Sequence, residues 1–74
     1  MEITKGQRIR VCHLRKGDFD AVATRDFDTD TEEWYPLALA KGNTVVGLSN
    51  FAYWLPGEEI PCRKSLSTLI LLTE

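Results

Sequence analysis

The sequence is poor in the residues that most often carry chemistry: one histidine, one methionine and two cysteines in 74 residues, with no aliphatic run longer than four, of which Leu69 to Leu72 is one. Four apolar residues are far short of the roughly 20 a membrane-crossing helix needs. The opening Met-Glu-Ile-Thr-Lys-Gly also lacks the apolar centre of a signal peptide, so a cytoplasmic location is expected. Cys12 and Cys62 have neither a CxxC nor a Cys/His spacing, which removes the usual cysteine-based metal centres; they could form one disulfide at most, the lesser reading in a chain without a signal peptide. Two reduced thiols, packed as small apolar residues, are the expectation.

The single histidine narrows the chemistry further. His13 falls by strand parity on the face of Ile9 and Val11, whereas its neighbour Cys12 points the other way, so the two do not form a nucleophile and base. Glu58 and Glu59 are adjacent in a Pro-Gly-Glu-Glu turn and lack the enclosure that tunes a pair of carboxyls. Asp26-x-Asp28-x-Asp30 begins like a calcium loop, but its sixth position is Thr31 and its twelfth Leu37, where glycine and glutamate belong. No catalytic residue, metal or cofactor is expected, and the chain reads as a non-enzyme.

What is present is a folded, segregated chain. Hydrophobic residues make up 43%, with seven aromatics, more than a disordered segment carries. A chain of this length buries only about 60% of the surface it exposes when unfolded, so the core must be small. Residues 1–17 hold Lys5, Arg8, Arg10, Arg15 and Lys16 against Glu2, for a net charge of +4. Residues 18–33 hold Asp18, Asp20, Asp26, Asp28, Asp30, Glu32 and Glu33 against Arg25, for a net charge of −6. Such a division steers partners of opposite sign. The overall net charge of −2 argues against a dedicated duplex binder, whose affinity comes mostly from Lys and Arg on phosphate.

Residues 7–14 alternate cleanly, with Ile9 and Val11 on one face, and predict the first strand. Arg15-Lys16-Gly17-Asp18 is a turn. Residues 19–27 resume a strand in which the core face is ambiguous: Phe19, Ala21 and Ala23 lie on one side, and Val22 lies on the other unless a bulge or strong twist turns it inward. After the polar loop 28–33, residues 34–39 form a third strand with Tyr35, Leu37 and Leu39 in register, and Pro36 at an edge or bulge. Lys41-Gly42-Asn43 predicts a hairpin whose returning strand is 44–48. Residues 49–57 suit a helical turn or loop. Residues 60–72 fit either a strand alternating through Leu66, Thr68, Ile70 and Leu72 or a helix, with the β-branched residues favouring the strand. The mostly buried positions should be Ile9, Val11, Tyr35, Leu37, Val46 and Leu48. No repeat or linker divides the chain, so residues 1–74 form one domain. Four to five short strands with tight turns describe a small antiparallel all-β barrel of SH3-like form, with room for one short helical turn.

Lys5-Gly6-Gln7-Arg8-Ile9-Arg10-Val11, followed by Lys16-Gly17-Asp18-Phe19-Asp20-Ala21-Val22, resembles the KOW and Tudor-like group of SH3-like barrels. Those proteins open with a Lys-Gly turn, a Val-x-Val strand, a basic turn and a second strand. The resemblance covers about eighteen residues and implies the barrel; for a KOW domain it would also imply nucleic-acid binding. It departs at Asp20, where the pattern has glycine, and so bears more on fold than on function.

Two surfaces follow. The acidic loop (Asp26, Asp28, Asp30, Glu32, Glu33) with Trp34, Tyr53 and Trp54 offers rigid aromatic contacts and carboxylates to a protein partner. The alternative is a weak RNA- or DNA-binding face of Arg8, Arg10, Arg15 and Lys16, on which bases could stack against nearby rings. A protein partner is the leading expectation, with no membrane association and a monomer or weak dimer.

Overall fold

The computed structural model describes residues 1–42, 45, 46 and 53–72, with the backbone alone at Val46 and Tyr53. The described chain is all-β apart from one 3-10 turn, and every strand pairing in it is antiparallel.

The first half is one long bent hairpin. Strand β1 (Glu2–Ile3) and β2 (Arg8–His13) run against β3 (Gly17–Ala23) and β4 (Phe27–Asp28). A single register serves both pairs: Ile3 lies opposite Phe27, Arg8 opposite Val22 and His13 opposite Gly17. The bend is at Lys5-Gly6, where the Gln7 N–H donates to Thr4 O (3.0 Å) and Gly6 takes φ 87°. A positive φ at the third residue of a tight turn is the glycine-favouring geometry of type II, which explains the Lys-Gly pair. Alternation then does the sorting, since Ile9, Val11 and His13 are buried while Arg8 and Arg10 are exposed. On β3 the core face is Phe19, Ala21 and Ala23, and Val22 lies half-buried on the outer face without a bulge. Small Ala21 sits between Ile9 and Leu39 on the neighbouring strands, so the large side chains interdigitate across it.

The expected third strand is divided into β5 (Trp34–Tyr35) and β6 (Leu37–Leu39) around Pro36. Thr24 still donates both its N–H (2.9 Å) and its hydroxyl (3.0 Å) to Pro36 O, but Pro36 has no N–H to return, and the β3–β6 ladder stops there. The expected hairpin partner is also replaced. Strand β7 (Val45–Val46) pairs with β8 (Tyr53–Trp54), placing a strand where a helical turn or loop was expected. The free side of β6 takes residues 57–60, through Leu39 N–H to Glu58 O (2.9 Å) and Ile60 N–H to Leu37 O (3.0 Å). The same register continues into β9 (Cys62–Arg63) against β5 and ends with Lys64 N–H on Glu33 O at 2.8 Å. This ladder satisfies more backbone than a short local hairpin would, and so it prevails.

A 3-10 turn, Lys64–Leu66, leads into β10 (Ser67–Leu71), which pairs with β2. The terminal segment is therefore a strand, but its faces are the reverse of the expected alternation: half-buried Leu69 packs toward the core and Ile70 is exposed. The strand order β10-β2-β3-β6, followed by residues 57–63, is compatible with an SH3-like barrel. Among the described residues no pairing joins the two ends of that order, and no closed barrel is seen among them.

The core gathers Ile3, Ile9, Val11, Phe19, Phe27, Tyr35, Leu37, Leu39, Val45, Ile60 and Cys62, with Phe27 and Tyr35 tilted at 5.6 Å between ring centroids. The expected burial of Ile9, Val11, Tyr35 and Leu37 is met. Leu48, the Val46 side chain, and Asn43 and Thr44 of the expected hairpin lie outside the described residues. Among the described residues no helix is long and apolar enough to cross a membrane.

Candidate functional site

The acidic loop is organised by Asp28. Asp28 Oδ1 accepts the Asp30 N–H (2.8 Å), while Asp28 O accepts those of Thr31 and Glu32 at 3.2 Å each. The N-terminal ammonium lies 3.3 Å from both Asp28 Oδ1 and Asp30 Oδ2. The Asp30 amide first, and the ammonium second, hold the Asp28 carboxyl below its usual range.

The other carboxylates are engaged as well. Asp26 Oδ1 accepts the Lys5 N–H at 2.7 Å, tying the loop to the Lys-Gly turn. Arg25 reaches Glu32 at 2.9 Å and Arg63 reaches Glu33 at 2.8 Å. Lys64 Nζ donates to the Asp30 carbonyl at 3.0 Å. The net negative charge read from the sequence is thus partly offset by cations from distant segments. The carboxylates left most open to solvent in ion pairs are Asp30, with 81% of its side chain exposed, and Glu33, with 61%.

Beside them stands Trp34, 53% exposed. It lies opposite Arg63, whose guanidinium is 5.7 Å from the ring centroid. The register that pairs Trp34 with Arg63 and Ala38 with Glu59 sets Pro36 opposite Pro61. Along this strand pair Tyr35, Leu37, Ile60 and Cys62 are buried, so the alternate residues Trp34, Pro36, Pro61 and Glu59 form an outward strip. The strip lines an open groove of about 350 Å³. The arrangement is a flat ring, two rigid prolines and carboxylates at either end, suited to a cationic chain. Sequence reasoning missed Pro61, Glu59 and Arg63, because they come to Trp34 from more than twenty residues away. The one available signal was the outward parity of Trp34 and Pro36.

Trp54 occupies a different place. It is half-buried, packs on the core, and carries the Lys16 ammonium 5.0 Å from its ring centroid. The Tyr53 side chain and Phe51 lie outside the described residues.

The basic face is largely claimed from within. Asp20 stands directly opposite Arg10 and two rungs from Arg8 on the same face. It takes the Arg10 Nε on one oxygen and Arg8 Nη2, at 3.0 Å, on the other. Its side chain is only 14% exposed, and the Arg10 hydrogen bond is the main cause of a carboxyl held below its usual range. The residue that departs from the KOW glycine is therefore a clamp on two of the four candidate cations. Arg15 makes no ion pair among the described residues and tops the β2–β3 turn with Lys16. His13 organises that turn, since its Nδ1 accepts the N–H groups of Arg15 (3.0 Å) and Lys16 (3.1 Å). Burial, with Lys16 and Arg15 nearby, keeps the imidazole below its ordinary pKa, which fits a neutral acceptor.

Cys12 and Cys62 are free, and burial pushes the Cys62 thiol up to about 11. Among the described residues there is no group of three or more His, Cys, Asp or Glu that could hold a metal ion. Compared with family models, curated proteins and solved structures, the chain finds no match.

Proposed function

We propose that the chain is a non-enzymatic binding module, an SH3-like small barrel of the KOW and Tudor-like kind, that works in the cytoplasm by gripping a basic segment of a protein partner. The contacts are made by the acidic loop and by exposed aromatics, Trp34 first among them. The observation that carries this reading is the seat of Arg63: the Trp34 ring and the Glu33 carboxylate already hold a guanidinium at the head of the proline-lined groove. A partner's arginine or lysine would meet the same chemistry, a ring face for the cation and carboxylates on the rim. The alternative, a weak nucleic-acid binder, retains Arg15 and Lys16 but has Arg8 and Arg10 clamped by Asp20.

The test is binding of a fluorescent arginine- and lysine-rich peptide, with capture of protein from lysate beside it. Asp30→Lys with Glu33→Lys, or Trp34→Ala, should weaken peptide binding about tenfold or more, as expected for loss of an interface anchor. Arg8→Glu with Arg10→Glu should do less, and added salt should weaken binding by the wild type. If the arginine reversals are the more damaging and a labelled oligonucleotide binds with a steep salt slope, the nucleic-acid reading replaces this one.

A further inference from the structure

The two ends of the sheet are built differently. Along residues 57–63 the rungs 39/58 and 37/60 are hydrogen-bonded, so the backbone groups of residues 59, 61 and 63 face away from the sheet. That edge carries Glu59, Arg63 and, where an outward N–H would stand, Pro61. Charges and a proline are the usual means of keeping an edge from pairing.

Strand β10 has none of these. Ser67-Thr68-Leu69-Ile70-Leu71-Leu72 contains no charge and no proline. Leu14 N–H donates to Leu66 O at 3.0 Å, which makes 66/14 a hydrogen-bonded rung and, by alternation, 68/12 and 70/10 as well. The Ser67 carbonyl and both backbone groups of Leu69 and Leu71 therefore point to the open side, the Ser67 N–H being taken by Lys64 O. Both faces are apolar too: Ile70 is 48% exposed on the outer face, and Leu71 is 40% exposed on the inner face, one strand away from fully buried Ile9. Apolar residues on both faces are the pattern of a strand whose two faces are covered.

We infer that the β10 edge pairs with the β10 edge of a second copy of this chain, antiparallel about a two-fold axis at Leu69. In that register Leu69 meets the second copy's Leu69 through reciprocal backbone bonds, and the Leu71 N–H meets the Ser67 carbonyl. Thr68 falls opposite Ile70. Nothing charged opposes anything charged, and Arg10, which lies opposite Ile70 on β2, is held by Asp20. The strand is its own complement, which a two-fold contact requires. Because Pro61 and its flanking charges block the other edge, assembly stops at two copies. Five residues make a contact about 17 Å long, below the size of a standard stable interface, so the dimer forms at micromolar to millimolar concentration.

Sedimentation velocity from about 10 μM to about 1 mM spans the range expected of so small an interface. The mass should rise from that of one chain, 8.4 kDa, toward twice that value. Leu71→Pro removes an outward N–H and leaves the β2 ladder untouched, and should lower the association constant about tenfold or more. Ile70→Lys, which sets a charge on the contact without altering the backbone, should do the same if Leu71→Pro does not fold. Exchange of the Leu69 and Leu71 amides should slow as concentration rises. A mass fixed at one chain throughout overturns the proposal. So does association undiminished in the folded variants, or slow exchange of both amides in the dilute protein, where another part of the same chain would be covering the edge.

Discussion

Asp20 lies opposite Arg10 across the β2–β3 hairpin and holds it and Arg8 together on the two oxygens of one largely covered carboxylate. Two guanidinium groups two rungs apart on the same face would otherwise repel each other. The clamp stabilises the hairpin and, by the same contact, removes two cations from the surface available to an anionic partner.

Asp20→Asn should therefore act in two directions. Stability to urea should fall by about 1 kcal/mol, the scale of charge-assisted hydrogen bonds discounted for half-exposed arginines. Affinity for a labelled oligonucleotide should rise, measured by anisotropy at low salt. Asp20 has a folded pKa below its ordinary value, so its stabilisation is present above the usual carboxylate range and is lost as pH falls through the folded pKa. Unchanged stability together with unchanged oligonucleotide affinity would show that the clamp is of no consequence.

His13 gives a second pH dependence at higher pH. Its folded pKa is below the ordinary 6.5, so the unfolded chain takes up the proton first. Stability from the neutral Nδ1 acceptor is fully present above about 6.5 and declines as pH falls toward the folded pKa. Urea midpoints measured between neutral and mildly acidic pH should show this loss in the wild type. His13→Asn should flatten it.

Leu37 is 1% exposed at the centre of the core, flanked by β3 and by residues 57–60. Leu37→Ala should cost about 2 to 5 kcal/mol, the range for deleting a packed aliphatic side chain. In a domain of this size that approaches the whole margin of stability. Circular dichroism should show a variant largely unfolded at room temperature or melting far below the wild type.

The two thiols should separate by reactivity. Cys62 is fully buried with a pKa near 11, whereas Cys12 is only half-buried. With a thiol reagent at neutral pH, the folded protein should react at Cys12 well before Cys62, and both should react once the chain is denatured without reductant. Two thiols released only after reduction would mean a disulfide.

The local order of the chain was legible in its residues. Alternation placed Ile9, Val11, Tyr35 and Leu37 inside, because strand side chains point to opposite faces whatever the partner strand is. The Lys16-Gly17 turn was legible for a similar reason, since only glycine enters positive φ freely, and the Lys5-Gly6 turn was implied by the family resemblance. Partnership was not. The sequence predicts that residues 34–39 return through a turn at Gly42, yet they pair with 57–63, a choice set by the total length of ladder satisfied. The reversed faces of β10 have the same origin, because a run such as Leu69-Ile70-Leu71-Leu72 is apolar on both sides and only its pairing with β2 decides which side meets the core. For the candidate site, the chain announced its charges but not their neutralisation. Asp20 with two arginines, and Arg63 on Trp34 and Glu33, are contacts across 10 to 30 positions of sequence, and distances of that kind are created only when the strands come into register.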